Sequence, residues 1–169
     1  APNLAKAERL IREAAAQGAR YILLPELYGL FPVAIAPKTI DEVYQESQPV
    51  PGPLTDRMTS LSRELDIAIG FGMAERVGEK MRNTAVFVDS SGIVGVYSKR
   101  AMVTHEGLRR LAEKRTGKPS AAPKEPLGPD EGTLFEKGEG NGVFWWGGVK
   151  TGVLICADGG FDGFWQYLA

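Results

Sequence analysis

The sequence contains few of the residues that build disulfides or metal sites. Its 169 residues include one cysteine and one histidine. A single cysteine excludes an internal disulfide and suits a reducing compartment, so a cytoplasmic location is predicted. No cluster of metal ligands and no internal repeat is evident along the chain, and we expect neither a metal nor another cofactor.

The chain also lacks an excess of charge and any long apolar run. A formal net charge of −1 gives no indication of binding to nucleic acid or to an anionic membrane. No apolar stretch approaches the roughly 20 residues of a membrane helix, and no signal-peptide pattern opens the sequence. The hydrophobic fraction of 43% is ordinary for a soluble protein. We expect residues 1–169 to form a single domain with a sizeable core.

Two kinds of apolar pattern alternate along the chain. Helical spacing predicts helices over residues 3–18, with Asn3 as N-cap and Gly18 as stop, 54–65 and 108–114. Short apolar runs predict strands over residues 20–24, 67–73, 84–88, 93–97, 143–146 and 149–155. The proline-rich segments 31–53 and 116–132 are predicted as loops. This order predicts an α/β fold in which a mixed sheet is faced by helices.

The single cysteine follows the run with the strongest strand character. The letters GVLICADGG at 152–160 place Cys156 at the end of an apolar run that small residues terminate. This pattern predicts an interior strand of an α/β sheet, and such strands often carry functional groups at their C-terminal ends. Nearby backbone N–H groups would favour the thiolate. The alternative is an inert core cysteine, since free cysteines are commonly buried.

Several polar residues are candidate partners for that thiol. Glu26 follows Pro25 at the exit of the first predicted strand, although a surface acid is the more common role for such a residue. Lys99 follows the strand at 93–97, and Glu106 comes seven residues later. His105 would have to serve any Cys–His pair, but nothing else in the sequence orients it. We therefore favour Glu26 as the base.

These pieces occur in an order that resembles the nitrilase, or carbon–nitrogen hydrolase, superfamily. The shared letters are Leu-Pro-Glu at 24–26, Asn-Thr-Ala at 83–85, Tyr-Ser-Lys at 97–99, Glu-Gly at 106–107 and Leu-Ile-Cys-Ala-Asp at 154–158. The resemblance implies an αββα sandwich with mixed sheets faced by helices. It also implies a catalytic set made of Glu26, Lys99, Cys156 and, as a second glutamate, Glu106. An oxyanion hole formed by Lys99 and the backbone N–H of Ala157 is implied as well.

The chain departs from that family's pattern in four ways. A strand that usually precedes the first helix is absent, and the sequence stops one helix after the cysteine. The Phe-Pro-Glu that commonly follows the nucleophile is replaced by the letters FDGFWQ at 161–166. Residues 108–132 form a longer insertion or lid. We therefore expect an incomplete version of the fold, and an insertion that bears on substrate choice.

The resemblance implies hydrolysis of a non-peptide carbon–nitrogen bond through a cysteine thioester. The expected partner is a small amide, carbamoyl, ω-amide or nitrile-type substrate, with an amide favoured over a nitrile. Two alternatives stay open, namely a catalytically inactive binding or assembly module and a thioester-based acyltransferase.

The end of the sequence predicts self-association. Large apolar or aromatic residues are concentrated among the final nine, at Phe161, Phe164, Trp165, Tyr167 and Leu168. Such a concentration often marks a partner surface. Members of the resembled family pair near the nucleophile, so we expect a homodimer or a higher homo-oligomer.

Overall fold

The computed structural model describes residues 2–28, 39–119, 129–160, 162–166 and 168. The helices are α1 (Pro2–Ala16), α2 (Ile40–Glu46), α3 (Pro53–Leu65), α4 (His105–Thr116), α5 (Glu131–Leu134) and α6 (Asp162–Gln166), with a 3-10 turn at Cys156–Gly160. The strands are β1 (Tyr21–Leu23), β2 (Ala68–Val77), β3 (Lys80–Asp89), β4 (Gly92–Ser98), β5 (Val143–Trp146) and β6 (Val149–Gly152).

The strands form a mixed four-stranded sheet and a separate hairpin. The larger sheet has the order β1-β2-β3-β4, with β1 parallel to β2 and the other neighbours antiparallel. Strands β5 and β6 pair with each other in the second sheet. The predicted mixed sheet with facing helices is confirmed.

Both faces of the four-stranded sheet are buried, which explains the near-continuous apolar runs in its strands. One face packs against α1 and α3 in a cluster that includes Ile11, Met58, Leu61, Ile69, Phe71, Val86 and Val88. The opposite face packs against the β5–β6 hairpin in a cluster that includes Ala85, Phe87, Tyr97, Trp146 and Ile155. The described chain is therefore layered as helices, sheet and second sheet.

Most predicted elements are present, and their local signals explain them. Helix α3 begins with Pro53 directly after Gly52, as expected for a proline in the first turn. The β3–β4 hairpin turns where Asp89 accepts a hydrogen bond from the backbone N–H of Ser91 at 2.8 Å. One prediction is wrong in detail: α1 begins at Pro2, so Asn3 lies inside the helix and is not its N-cap.

The two segments predicted as loops each contain a short helix. Helix α2 begins after Thr39, whose side chain accepts from the N–H of Glu42 while that glutamate accepts from the N–H of Thr39. This capping box is a sequence signal that proline content obscured. Helix α5 begins with the last two residues of segment 116–132 and ends beyond it, at Leu134. The rest of the loop prediction, at 31–38 and 120–128, lies outside the described residues.

The strand before the cysteine is shorter than predicted and is not interior to a large sheet. β6 ends at Gly152 and pairs only with β5 among the described strands. Beyond it, the N–H of Val153 bonds to the carbonyl of Gly142 at 2.8 Å, and the N–H of Ile155 bonds to the Asp158 carboxylate at 3.2 Å. These hydrogen bonds take the place of pairing with a neighbouring strand, so Cys156 lies in a turn and not in a strand.

The last helix leaves part of its apolar surface in solvent. Trp165 is 54% exposed, whereas Phe164 packs under the Arg100 guanidinium at 4.6 Å. Phe161 and Tyr167 lie outside the residues whose side chains are described. Self-association through this helix stays a prediction. None of the described helices has the length and hydropathy needed to span a membrane.

Candidate active site

Two of the candidate residues meet at a buried ion pair. Glu26 lies in the turn after β1, and Lys99 directly follows β4. The Nζ of Lys99 is 3.0 Å from the Oε1 of Glu26, although the two residues are 73 positions apart in the chain. The Lys99 residue is 2% exposed. An ammonium this deeply buried requires negative charges around it. Glu26 supplies one, and a second carboxylate comes from a later part of the chain.

Glu131, at the start of α5, supplies the second carboxylate. Its Oε1 lies 2.7 Å from the Nζ of Lys99, and its Oε2 accepts from the N–H of Val103 at 2.9 Å. Burial alone lowers the pKa of Lys99, but hydrogen bonds to Glu131 and Glu26 outweigh it and leave this pKa above its ordinary value. The lysine is therefore cationic at neutral pH.

The structure does not bring Glu106, the predicted second glutamate, to Lys99. Glu106 lies on the exposed surface of α4, where its Oε1 is 2.5 Å from the guanidinium of Arg110. It does not line the cavity that contains Glu26 and Cys156. The prediction that Glu106 borders this pocket is wrong, and Glu131 occupies the position beside Lys99.

The sequence did contain a signal for Glu131. Another Glu-Gly pair stands at 131–132, whereas the pair at 106–107 has the spacing from the lysine that the resemblance implies. Helix α4 contains the pair at 106–107, separates Lys99 from Glu131 along the chain and has no buried residue. An exposed helix inserted after β4 changes the sequence spacing without changing the site. Spacing was therefore a poor guide at this point.

Cys156 opens the 3-10 turn in a left-handed conformation. Its φ is 46°, a region that costs energy for residues other than glycine and is often retained at functional sites. It lines a cavity of about 370 Å³ together with Glu26 and Asn83. Leu27, beside Glu26, is also left-handed at φ 48°. The same cavity is therefore flanked by two strained backbone positions.

The thiol is not held as a thiolate, contrary to expectation. Desolvation and the charge of Glu26 raise the pKa of Cys156, outweighing Lys99 and the N–H of Ala157, which both lower it. The resting side chain is a neutral thiol at pH 7. Nucleophilic chemistry at this sulfur would therefore need a base to remove the proton.

Histidine does not supply that base. The Nδ1 of His105 lies 2.6 Å from the Oδ1 of Asp130, and His105 does not line the cavity with Cys156. The cavity's acidic residue is Glu26. The preference for Glu26 over His105 as the thiol's candidate partner agrees with this placement.

Asp158 joins the lysine-bearing loop to the cysteine-bearing turn. It is fully buried. Its Oδ1 accepts from the N–H groups of Arg100 and Ala101, and its Oδ2 accepts from the Tyr97 hydroxyl and the N–H of Ile155. Three of those donors flank Lys99 and the fourth directly precedes Cys156. One carboxylate thus sets the distance between the two functional side chains.

The position of Glu26 depends on a glycine in β2. A Cβ built on Gly72 would lie 2.7 Å from the Cα of Glu26 and 2.6 Å from the backbone nitrogen of Leu27. The turn after β1 therefore packs directly on the sheet, and only glycine permits this approach. The roles of Gly72, Asp158 and Asn83 are not predictable from the sequence, because each depends on a tertiary neighbour.

Comparisons with known proteins agree on a single family. The carbon–nitrogen hydrolase family model matches residues 1–169. The chain is 32% identical over 158 residues to a nitrilase from Pyrococcus abyssi, and 32% identical over 159 residues to an N-carbamoylputrescine amidase from Solanum lycopersicum. Each alignment covers 92% of this chain but only 50% and 45% of those proteins. The chain thus spans about half the length of the curated relatives it matches.

Solved structures show the same fold. An amidase from Nesterenkonia sp. is 22% identical with a TM-score of 0.64, over 98% of this chain and 53% of its own. A CN-hydrolase superfamily protein from Xanthomonas campestris is 19% identical with a TM-score of 0.65, over 96% of this chain and 50% of its own. The mixed α/β architecture is that of nitrilase-superfamily amidases, and the described chain represents part of it.

Replacing Asp158 by asparagine should destabilise the protein strongly. The amide nitrogen of Asp158→Asn would face backbone or hydroxyl donors, so at least one buried donor loses its acceptor. We expect the free energy of unfolding to fall by about 3 kcal/mol. Urea denaturation measures it, with the exposed Asp162→Asn as control, for which a change below about 0.5 kcal/mol is expected. Equal losses in both variants would contradict the role given to Asp158.

The alkylation of Cys156 should report its raised pKa. We expect the rate of reaction with iodoacetamide to inflect above pH 9.0, the ordinary value for the thiol. Glu26→Gln removes a charge that raises this pKa, so its inflection should move to lower pH. The measurement is the alkylation rate between pH 6 and 11, followed by mass spectrometry. An inflection below neutrality in the unmodified chain would show a stabilised thiolate and contradict this reading.

Proposed function

Because the chain belongs to the carbon–nitrogen hydrolase family, we propose that it hydrolyses a non-peptide carbon–nitrogen bond with Cys156 as the nucleophile. The observation that carries the proposal is the buried Lys99, paired with Glu26 and Glu131 beside a cavity that contains the only thiol. A neutral thiol, a carboxylate in the same cavity and a fixed ammonium are the three groups that acyl transfer through sulfur needs.

The acylation step uses Glu26 as base and then as acid. Glu26 takes the proton from the Cys156 thiol as sulfur bonds to the amide carbonyl carbon. The carbonyl oxygen gains the charge, which the Lys99 ammonium and the N–H of Ala157 stabilise. Glu26 returns the proton to the amide nitrogen, the carbon–nitrogen bond breaks, and ammonia or an amine leaves a thioester on Cys156.

Deacylation reverses these roles with water. A water molecule loses a proton to Glu26 and attacks the thioester carbon, again with Lys99 near the oxyanion. The carbon–sulfur bond breaks, the acid leaves, and the sulfur recovers the proton from Glu26. Glu131 keeps Lys99 in place and neutralises part of its charge through both steps. Neither step requires a cofactor or a metal.

The cavity favours a small substrate with an uncharged acyl group. Its lining is mainly aliphatic and aromatic, from Leu23, Leu24, Phe71, Phe87, Trp146, Val153, Leu154 and Ile155. Among the described residues, no lysine or arginine lines it to receive a carboxylate on the substrate. An apolar amide fits this surface better than an ω-amide with a charged end. Small carbamoyl compounds and nitriles are the other candidates, as named relatives include an N-carbamoylputrescine amidase and a nitrilase.

Loss of the thiol should abolish turnover. We expect Cys156→Ser and Cys156→Ala to reduce ammonia release from small aliphatic amides by at least about 10³-fold, since the nucleophile is removed. The circular dichroism spectrum should not change, because Cys156 is exposed.

Three outcomes separate the proposal from its alternatives. Full activity in Cys156→Ala would refute a cysteine mechanism. No release of ammonia from any amide by the unmodified chain would favour an inactive binding module. Product formation that requires an added amine, with little free acid, would identify an acyltransferase.

The two glutamates provide a matched pair of variants. We expect Glu131→Gln to lower kcat roughly 10²-fold, because Lys99 loses a counter-charge and its fixed position. Glu106→Gln should leave kcat within about twofold, as that side chain pairs with Arg110 on the surface. Steady-state kinetics on one amide measures both. A large loss in Glu106→Gln with none in Glu131→Gln would reverse the assignment.

A further inference from the structure

Asn83 contacts both carboxylates of the site, and the proposed chemistry gives it no task. We propose that Asn83 is a positioning residue, whose amide holds Glu26 and Glu131 together and aims Glu26 at the thiol. This role rests on the proposed function, since it concerns the base of that reaction. Asn83 lies in β3, on the face that lines the cavity, and is fully buried.

The contacts form a closed ring of four groups. The Nδ2 of Asn83 lies 2.6 Å from the Oε1 of Glu26 and 3.0 Å from the Oε1 of Glu131. The Nζ of Lys99 lies 3.0 Å and 2.7 Å from the same two oxygens. Each carboxylate oxygen therefore accepts from both donors, and each donor bridges both oxygens.

The ring solves a problem of charge. Two carboxylates that face one ammonium repel each other, and one positive charge does not neutralise both. An amide adds donors to both oxygens without adding charge. Its nitrogen must face them, because a carbonyl oxygen in that place would meet two acceptors. A second lysine would overcompensate the charge, and a hydroxyl has only one proton to donate.

This orientation of the amide leaves the carbonyl oxygen of the Asn83 side chain without a hydrogen bond in the part of the chain that the structure describes. The Oδ1 of Asn83 is buried and has no hydrogen-bond partner among the described residues. Buried acceptors are normally satisfied, and an unsatisfied one destabilises a fold. A purely structural residue at this position of β3 could be apolar, as its neighbours Ala85 and Phe87 on the same face are. The presence of asparagine at this position is explained if the two carboxylates need its amide donors.

The side chain can be separated from the backbone of the same residue. The backbone of Asn83 pairs with Ala74 in β2, and its carbonyl accepts from the N–H of Lys99 at 2.8 Å. These contacts do not involve the amide. Asn83→Leu, which is close in size, should therefore leave β3 and the backbone at Lys99 in place. It should remove only the hydrogen bonds to the carboxylates of Glu26 and Glu131.

The groups around Glu26 determine the expected kinetic effect. They are Lys99 after β4, Glu131 in α5, Cys156 in the 3-10 turn and Asn83 itself. Asn83→Leu removes one of the two donors that hold the Oε1 of Glu26. Misplacement of the base should lower kcat roughly 10²-fold with little change in KM.

The next residue of the strand offers a matched control. Thr84 is also fully buried, and its hydroxyl donates to a carboxylate, that of Glu75, at 2.7 Å. Its side chain points to the opposite face of β3, away from the ring. Thr84→Val removes a buried hydrogen bond to a carboxylate of similar kind. It should affect stability while leaving kcat and the pH profile unchanged.

The experiment compares the unmodified chain, Asn83→Leu, the smaller Asn83→Ala and Thr84→Val. Ammonia release from a small aliphatic amide is measured between pH 5 and 10, with urea denaturation of each variant. A lower kcat at a nearly unchanged KM, in the Asn83 variants alone, supports the proposal. Identical profiles for Asn83→Leu and Thr84→Val would overturn it, and so would failure of both Asn83 variants to fold, which would make the residue structural.

A second readout does not depend on turnover. If the unmodified chain releases no ammonia, the proposed function fails, and iodoacetamide alkylation of Cys156 then tests Asn83 alone. We expect the alkylation inflection of Asn83→Leu to move to lower pH, because Glu26 is no longer held near the thiol. An inflection equal to that of Thr84→Val and the unmodified chain would refute the positioning role.

Discussion

A single buried ammonium organises this structure. Lys99 is withdrawn from water and needs anions around it, and the chain provides them from two distant places, 73 residues before it and 32 residues after it. Breaking such a pair leaves an uncompensated buried charge, so the turn after β1, the end of β4 and the start of α5 are interdependent. The cavity with Cys156 lies beside this cluster and is lined by Glu26 from the turn after β1.

The other buried anion is handled differently. Asp158 is satisfied by three backbone N–H groups and the Tyr97 hydroxyl. Burial, with that hydrogen bond, raises the pKa of Tyr97, so the phenol stays a donor. The two clusters of buried carboxylates therefore have different roles. One holds an ionised lysine with its carboxylates, and the other holds the loops that carry the lysine and the cysteine at a fixed separation.

The neutral state of the thiol is consistent with this arrangement. Desolvation raises the pKa of Cys156 most, and the charges of Glu26 and Glu131 raise it further. The site therefore keeps a proton on sulfur until a carboxylate takes it during reaction. A site designed for a resting thiolate would instead need cations to outnumber anions, and here two glutamates surround one lysine.

The sequence by itself determined the alternating elements, the hairpins, and three residues of the site. Apolar runs, turn residues and caps act over a few neighbours, so helix α3, strand β4 and the candidates Glu26, Lys99 and Cys156 were predictable from local letters and motif order. Tertiary structure alone decided the choice of Glu131 over Glu106, the bridging amide of Asn83, the clamp by Asp158 and the neutral thiol. An inserted exposed helix changes spacing along the chain but not distance in space. Burial and charge act between groups that only folding brings together.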